Sequence, residues 1–362
     1  MRRRGSSSTR APSIADAVRE LADPRAAVLA APSVLIDAGP GWFARVMEAA
    51  TPTEPPERPG LDPRRWPGWC WGVLAGMCIA VAGLVAAAVA LGPVLLWYDR
   101  AFLGTDVAGL HQVNHHLVPF VRHNRVSLAG AMVATGVLYA GLAGGGMRRG
   151  RPWARTAFTV SGCAGFAAVL YLFAHGYLEP LHLMLAGMVL PMFGAAVRRP
   201  DVPRWTVLPE GPEPERRRAL TGQLLMVTTG AGLFAGGLVI SIVGLTGIFV
   251  HSDLVYLGTA ADALREANPR LMPYLAHDRA GLGGSLLAAG AAITLLALWG
   301  WRRGERWVWW SLAVAAVAGF GPALAAHAAI GYLDFWHLAP VLAGVALTAA
   351  ALTLARAYLW GR

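Results

Sequence analysis

The residues best equipped for chemistry fall into two similar sets. Asp99, His123, Arg125, Glu179 and His182 make the first, and Asp253, His277, Arg279, Asp334 and His337 make the second. Each set joins two imidazoles to acids and to an arginine in His-x-Arg order. An imidazole titrates near neutral pH and ligates metals, and a neighbouring carboxylate can hold it in one tautomer. Three readings stay open. In a quinone or other small-ligand pocket, histidine bonds a carbonyl and an acid relays a proton. Histidines on facing helices hold haem iron, and histidine with carboxylate suits zinc, iron or copper. A purely structural network of salt bridges and helix caps uses the same residues. Spacing does not choose among the three. His111, His115 and His116 have no counterparts in the second set, where Pro269 and Arg270 replace the pair, so they read as surface residues.

The elements that must position these residues are apolar. The chain is 56% apolar and 14% charged, with a mean hydropathy of +0.47, against about 45–50% and about 25% in soluble domains. Runs near the roughly 20 residues that cross a bilayer predict eight spans, at 71–98, 126–147, 156–175, 181–197, 221–250, 280–301, 307–330 and 336–358. The net charge of +10 would suit nucleic acid, but the arginines sit in short clusters between the runs, where they orient spans instead. No nucleic-acid partner is expected; the lipid bilayer is. Arginines before residue 66, at 148–155, at 198–218, at 302–306 and at 356–362 occupy alternate connections, which the positive-inside rule makes cytoplasmic along with both termini. All ten histidines, His175, His251 and His327 included, then lie in outer connections or near the outer ends of spans. With none near the cytoplasmic face, a haem wire across the membrane is not expected. Transport is weakened too, because ionisable groups avoid the bilayer centre and His327 is the nearest exception. Cys70, Cys78 and Cys163 lie in or beside the runs, so neither a disulfide framework nor a zinc-thiolate site is expected. The start, MRRRGSSSTR, resembles the basic region of a signal peptide, but no apolar stretch follows before Trp69, so no cleavage is expected.

Shifting the sequence by 154 residues lays 99–166 on 253–320. LVPFVRHNR from Leu117 then meets LMPYLAHDR from Leu271, Asn114 meets Asn268, and with one inserted residue GYLEPLHL from Gly176 meets GYLDFWHL from Gly331. Each unit holds an even number of spans, so the pattern predicts two parallel four-helix repeats about an axis along the membrane normal. Gly130, Gly136, Gly284 and Gly290 read as close-packing positions. The connections 99–124 and 253–278 predict interfacial helices broken near Pro119 and Pro273. Within each repeat, His123 is expected beside His182 with Glu179 or Asp99, and His277 beside His337 with Asp334 or Asp253.

Ahead of the spans the pattern predicts a short helix, a strand at Ser33–Ile36, a Gly39-Pro40-Gly41 turn, a helix over 42–50 and a Pro-rich linker. That strand, turn and helix, with Arg45 and Val46, resembles the end of the barrel of membrane-associated dihydroorotate dehydrogenases. AHDRAG from Ala276 and GYLDFWHL resemble a multi-span domain attached to such flavoproteins, over most of 70–362. The resemblance implies a flavin enzyme passing electrons to quinone. A barrel binds flavin through loops from many strands, and one strand-helix unit is visible here. FMN is therefore not expected to bind this chain alone, no active-site residue carries over, and the chain is not expected to be catalytic by itself.

The expectation is an all-α integral membrane protein of the bacterial cytoplasmic membrane. It divides into a tail resembling a barrel end (1–50), a linker (51–69), repeat 1 (70–198), a cytoplasmic linker (199–219) and repeat 2 (220–362). Its outer His/acid sites would bind quinone or haem and serve a flavoprotein or respiratory partner. A non-catalytic anchor or assembly protein is the rival, and a transporter the third reading.

Overall fold

A computed structural model describes residues 14–21, 36, 39, 41–49, 60–172, 176–198 and 211–361. Among the described residues every regular element is helical. Two short helices, α1 (Ile14–Leu21) and α2 (Trp42–Ala49), pack through Ile14, Ala17, Trp42 and Val46 ahead of the apolar region. Of the strand expected at 33–36, residues 33–35 lie outside the described residues and Ile36 has helical backbone.

The apolar region continues as α3 (Gly68–Leu91), α4 (Trp97–Leu103), α5 (Val107–Val113), α6 (Leu117–Gly141), α7 (Pro152–Leu172) and α8 (Pro180–Arg198). After the linker follow α9 (Glu213–Thr246), α10 (His251–Leu257), α11 (Ala261–Ala267), α12 (Leu271–Gly300), α13 (Arg306–Ile330) and α14 (Phe335–Trp360). Among the described residues, seven of these are long and apolar enough to cross a membrane: α3, α6 extended to Arg149, α8, α9, α12, α13 and α14. The eighth expected span, 156–175, corresponds to α7, which has 21 residues and is not among the seven. Residues 173–175, and the side chains of 169–172 at the apolar end of this helix, lie outside the described residues. Helices apolar on all sides satisfy their own backbone groups, as a bilayer interior requires. Exposed Trp97 and Trp336 ring one end of the bundle, and Trp309, Trp310 and Trp360 pack together at the other. This is the distribution of interfacial aromatics.

Two helices make the centre. The apolar window of α6 is 78% buried and that of α12 is 56% buried, against 11–22% for the other five. α6 packs on α3, α13 and α12, while α12 packs on α9, α7 and α6. α8 leans on α3 and α14 on α9. Each central helix is therefore flanked by one helix from each half of the chain. Glycine makes the contacts close enough. A Cβ at Gly136 would lie 2.5 Å from the Gly76 carbonyl oxygen, and one at Gly130 would lie 2.7 Å from that of Ala318. Cβ atoms at Gly290 and Gly284 would collide with α9 and α7 in the same way.

The connections expected to break at Pro119 and Pro273 do not. They form α4 and α5 in one half and α10 and α11 in the other, and then α6 and α12 start at Leu117 and Leu271. Each proline falls in a first helical turn, where the missing N–H has no intrahelical partner to lose. The central helices therefore begin nine residues before the expected span starts of 126 and 280. This carries His123 and His277 inside helices. The first span, expected to reach 98, ends at Leu91, and a turn containing Val94 at φ 63° follows; Ile248 repeats it at φ 66° before α10. A β-branched residue in the left-handed region is strained. At Val94 the turned carbonyl accepts a 2.7 Å hydrogen bond from Arg125.

Candidate functional site

The histidines of interest gather at one end of the bundle. His123 and His277 stand in the second turns of α6 and α12, His182 and His337 in the first turns of α8 and α14, and His327 one turn before the end of α13. The opposite end carries Arg148, Arg149 and Arg151 of one half and Arg302, Arg303 and Arg306 of the other. There Glu305 bonds Arg149 at 2.5 Å and also pairs with buried Arg151.

Three imidazoles converge in the first cluster. His123, His327 and His337 each bring a possible ligand atom within 4.8 Å of the others, and the Nε2 atoms of His123 and His327 are 3.0 Å apart. The other nitrogens of two rings are held. His327 Nδ1 lies 2.7 Å from the Ala323 carbonyl oxygen, so it carries the proton and Nε2 presents a lone pair. His337 Nδ1 lies 3.1 Å from the Tyr332 hydroxyl and 3.2 Å from Ser252 Oγ. Tyr332 donates to Asp253 at 2.9 Å. Burial, then Asp253, push the Tyr332 phenol above its usual pKa, so it stays a donor. Asp253 also pairs with Arg279 and accepts from the Val250 backbone at 2.8 Å.

The second cluster is Glu179, His182 and His277, again within 4.8 Å of one another. His182 Nδ1 and His277 Nε2 are 3.1 Å apart, His277 Nε2 is 3.4 Å from Glu179 Oε2, and His182 Nδ1 contacts the same oxygen. Two ring nitrogens and one carboxylate oxygen thus share a single point. Burial alone would raise the Glu179 carboxyl, but His182 and then His277 outweigh it and hold the group below the usual carboxylate range. Tyr98 donates to Glu179 Oε1 at 3.1 Å. Tyr177, raised by burial and then by Asp99, donates to Asp99. Asp99 pairs with Arg125 at 3.0 Å, and Arg125 also reaches Asp278 at 3.3 Å.

The two clusters differ in charge. Around the second, Asp99, Asp278 and Glu179 face the single guanidinium of Arg125, which as carboxylates leaves negative charge in excess. Around the first, Arg279 and Asp253 balance. Buried charge without compensation is costly, so the second cluster calls for a cation or for protons on its acids or histidines.

All ten expected site residues lie at this end, but the pairing differs from expectation. His123 meets His327 and His337 rather than His182, and His277 meets His182 and Glu179 rather than His337. The cause is the exchange at the centre of the bundle. α6 packs against α13 of the second half and α12 against α7 of the first, so each central histidine faces the opposite half. Asp334 does not join a cluster; its carboxylate caps α14 by accepting from the His337 backbone at 2.7 Å. Asp99 and Asp253 hold their arginines and lie behind the histidines.

Residues missing from the expected set are His327, Asp278, Ser252 and the phenols Tyr98, Tyr177 and Tyr332. Tyr177 and Tyr332 stand at matching places in GYLE and GYLD, and Asp278 in AHDR, so these motifs carried the signal. His327 has no counterpart in the first half and carried none. His111 and His115 stay exposed, as expected for surface residues. His175 lies outside the described residues. Comparison of the chain with known protein families, with curated proteins and with solved structures finds no match.

Proposed function

We propose that this chain is a membrane metalloprotein that holds two transition-metal ions at the outer end of its bundle. His123, His327 and His337 hold one, and Glu179, His182 and His277 hold the other. The convergence of two separate three-residue sets, each within 4.8 Å, carries this reading. Ligands bound at about 2.0–2.1 Å around one ion lie about 3.0–3.4 Å from each other; three of the ligand separations are 3.0, 3.1 and 3.4 Å, and the Glu179–His182 contact, closer than these, would open to admit the ion. Axial haem ligands need about 4 Å between them and a flat space for the macrocycle, so this spacing favours a small ion. Three histidines suit zinc or copper, and two histidines with a carboxylate suit zinc or iron(II). The protonated Nδ1 of His327 on a carbonyl, and that of His337 beside Tyr332 and Asp253, orient the rings as metal-binding histidines require.

The wider frame belongs to the same proposal. The chain crosses the bacterial cytoplasmic membrane eight times with both termini inside, supported by arginines at one bundle end and histidines at the other. It arose by duplication of a four-span unit. Elements that begin 154 residues apart, α4 and α10, α5 and α11, α6 and α12, support this. So do the exchanged bonds of Asn114 to the Leu257 carbonyl at 2.8 Å and of Asn268 to that of Leu103 at 3.0 Å. The resemblance of the membrane region makes a flavin oxidoreductase the partner.

Metal analysis of the purified full chain tests the assignment. Two ions per chain are expected, with one lost in His123→Ala, one in His277→Ala and both in the double variant. A chain that carries no metal, and whose melting temperature added zinc, iron(II) or copper leaves unchanged, would refute it. The histidines would then be structural, a reading favoured by the fact that each ring pair can close on a shared proton.

A further inference from the structure

The two clusters match residue for residue, with two exceptions. At the 154-residue shift His123 falls on His277, Arg125 on Arg279 and Asp99 on Asp253, and with one inserted residue His182 falls on His337. Between the histidine and the arginine, however, α6 carries Asn124 where α12 carries Asp278. Both side chains are 2% exposed, and each adjoins the central-helix ligand of its cluster. The third ligand also differs. Glu179 completes one cluster, whereas its counterpart Asp334 caps α14 and neutral His327 completes the other.

Both exceptions shift charge in the same direction. Behind Glu179, His182 and His277, Arg125 spans Asp99 and Asp278 at 3.0 and 3.3 Å. Three carboxylates against one guanidinium leave two negative charges, which a dication cancels while displacing any proton held there. The cluster of His123, His327 and His337 offers neutral ligands only. Behind it Arg279 and Asp253 cancel, and Asp334 is exposed, where solvent screens it. A dication there would add two uncompensated charges to a buried site. Because the cost of burying charge rises as its square, the penalty is about fourfold that of a monocation. Zinc on three histidines offsets its charge with hydroxide in an open fourth position. Here His123 and His327 are each 4% exposed, and Tyr332 and Ser252 close on His337. That enclosure favours an ion that needs no accompanying anion. Among the metals that imidazole suits, copper is the one with a stable monovalent state.

We infer that His123, His327 and His337 take copper(I) while Glu179, His182 and His277 take a divalent ion, with Asn124 and Asp278 setting the difference. The inference rests on the metal reading of both clusters and adds the ionic charge that each accepts. Asn124 and Asp278 act through the field at the ion and not as ligands.

The test uses the full chain in detergent, stripped of metal and then offered silver(I), a redox-inert stand-in for copper(I), together with zinc. Silver held by Cys70, Cys78 and Cys163 is common to all variants and cancels in the differences. His123→Ala should lose one silver and keep its zinc, and His277→Ala should lose one zinc and keep its silver. Copper(I) added without oxygen should displace the silver that His123→Ala loses. Asn124→Asp should shift the three-histidine site toward zinc by about 10- to 100-fold, the effect of one charge a few ångströms away. Asp278→Asn, in which Arg125 keeps Asp99, should weaken zinc at the other site by a similar factor. Zinc in both clusters or silver in both overturns the inference and leaves the metal reading standing. So does an unchanged preference in Asp278→Asn, or in an Asn124→Asp chain that melts at the native temperature. A chain that binds neither ion at the histidines removes the metal reading, and this inference with it.

Discussion

Replacing Asp99 or Asp253 by asparagine should separate two arginine sites that the sequence presents as equivalents. Both aspartates are fully buried and both accept a backbone N–H at 2.8 Å, from Leu96 and Val250. Asparagine can keep that cap through its side-chain oxygen. What differs is the arginine left behind. In Asp99→Asn, Arg125 retains Asp278 at 3.3 Å and the Val94 carbonyl at 2.7 Å. It loses charge-assisted bonds but not its counter-charge, a cost of about 1.5–3 kcal/mol. In Asp253→Asn, Arg279 keeps no carboxylate among the described residues, only the face of Phe120 at 5.5 Å. Removing one partner of a buried pair costs about 3–5 kcal/mol. Asp253→Asn should therefore be the more damaging by about 1–3 kcal/mol. Reversible unfolding in mixed micelles by SDS titration, followed by circular dichroism, measures the difference. Equal losses, or a larger loss in Asp99→Asn, would refute the argument that Asp278 compensates Arg125.

Further outcomes follow from the same geometry. Tyr332→Phe removes the hydroxyl between His337 and Asp253, and metal affinity at the three-histidine cluster should fall about 10- to 100-fold with content at Glu179, His182 and His277 unchanged, as read by competition with a chelator. Asn114→Ala and Asn268→Ala each strip one bond between the halves and one accepted from the backbone N–H of His116 or Arg270, and should cost about 1–3 kcal/mol apiece, adding without coupling in a double-mutant cycle because the two sets of bonds share no atom. A cysteine at Ala108 should react with an impermeant thiol reagent in intact cells and one at Gly150 should not; the reverse labelling pattern would invert the orientation.

Local patterning along the chain sets the material of the fold. Apolar runs, alternate arginine clusters and the 154-residue spacing are local or periodic properties, and helices in an apolar setting follow from them because each satisfies its own backbone. The sequence also identified the polar residues at one end, since ionisable groups are rare in such a chain and stand out. Three things needed the tertiary structure. The prolines at 119 and 273 read as breaks, yet they open helices, because a first-turn proline loses no hydrogen bond. Asp334, matched with Glu179 by position, turned to a helix cap, and His327 took the third place in its cluster, although nothing local distinguishes the two roles. Above all, the partner of each central histidine was decided by packing. Spacing along a chain says which residues share a helix face, but not which helix that face meets. The glycine-mediated approach of α6 to α13 and of α12 to α7 turned His123 and His277 toward opposite halves, and so made each cluster from both.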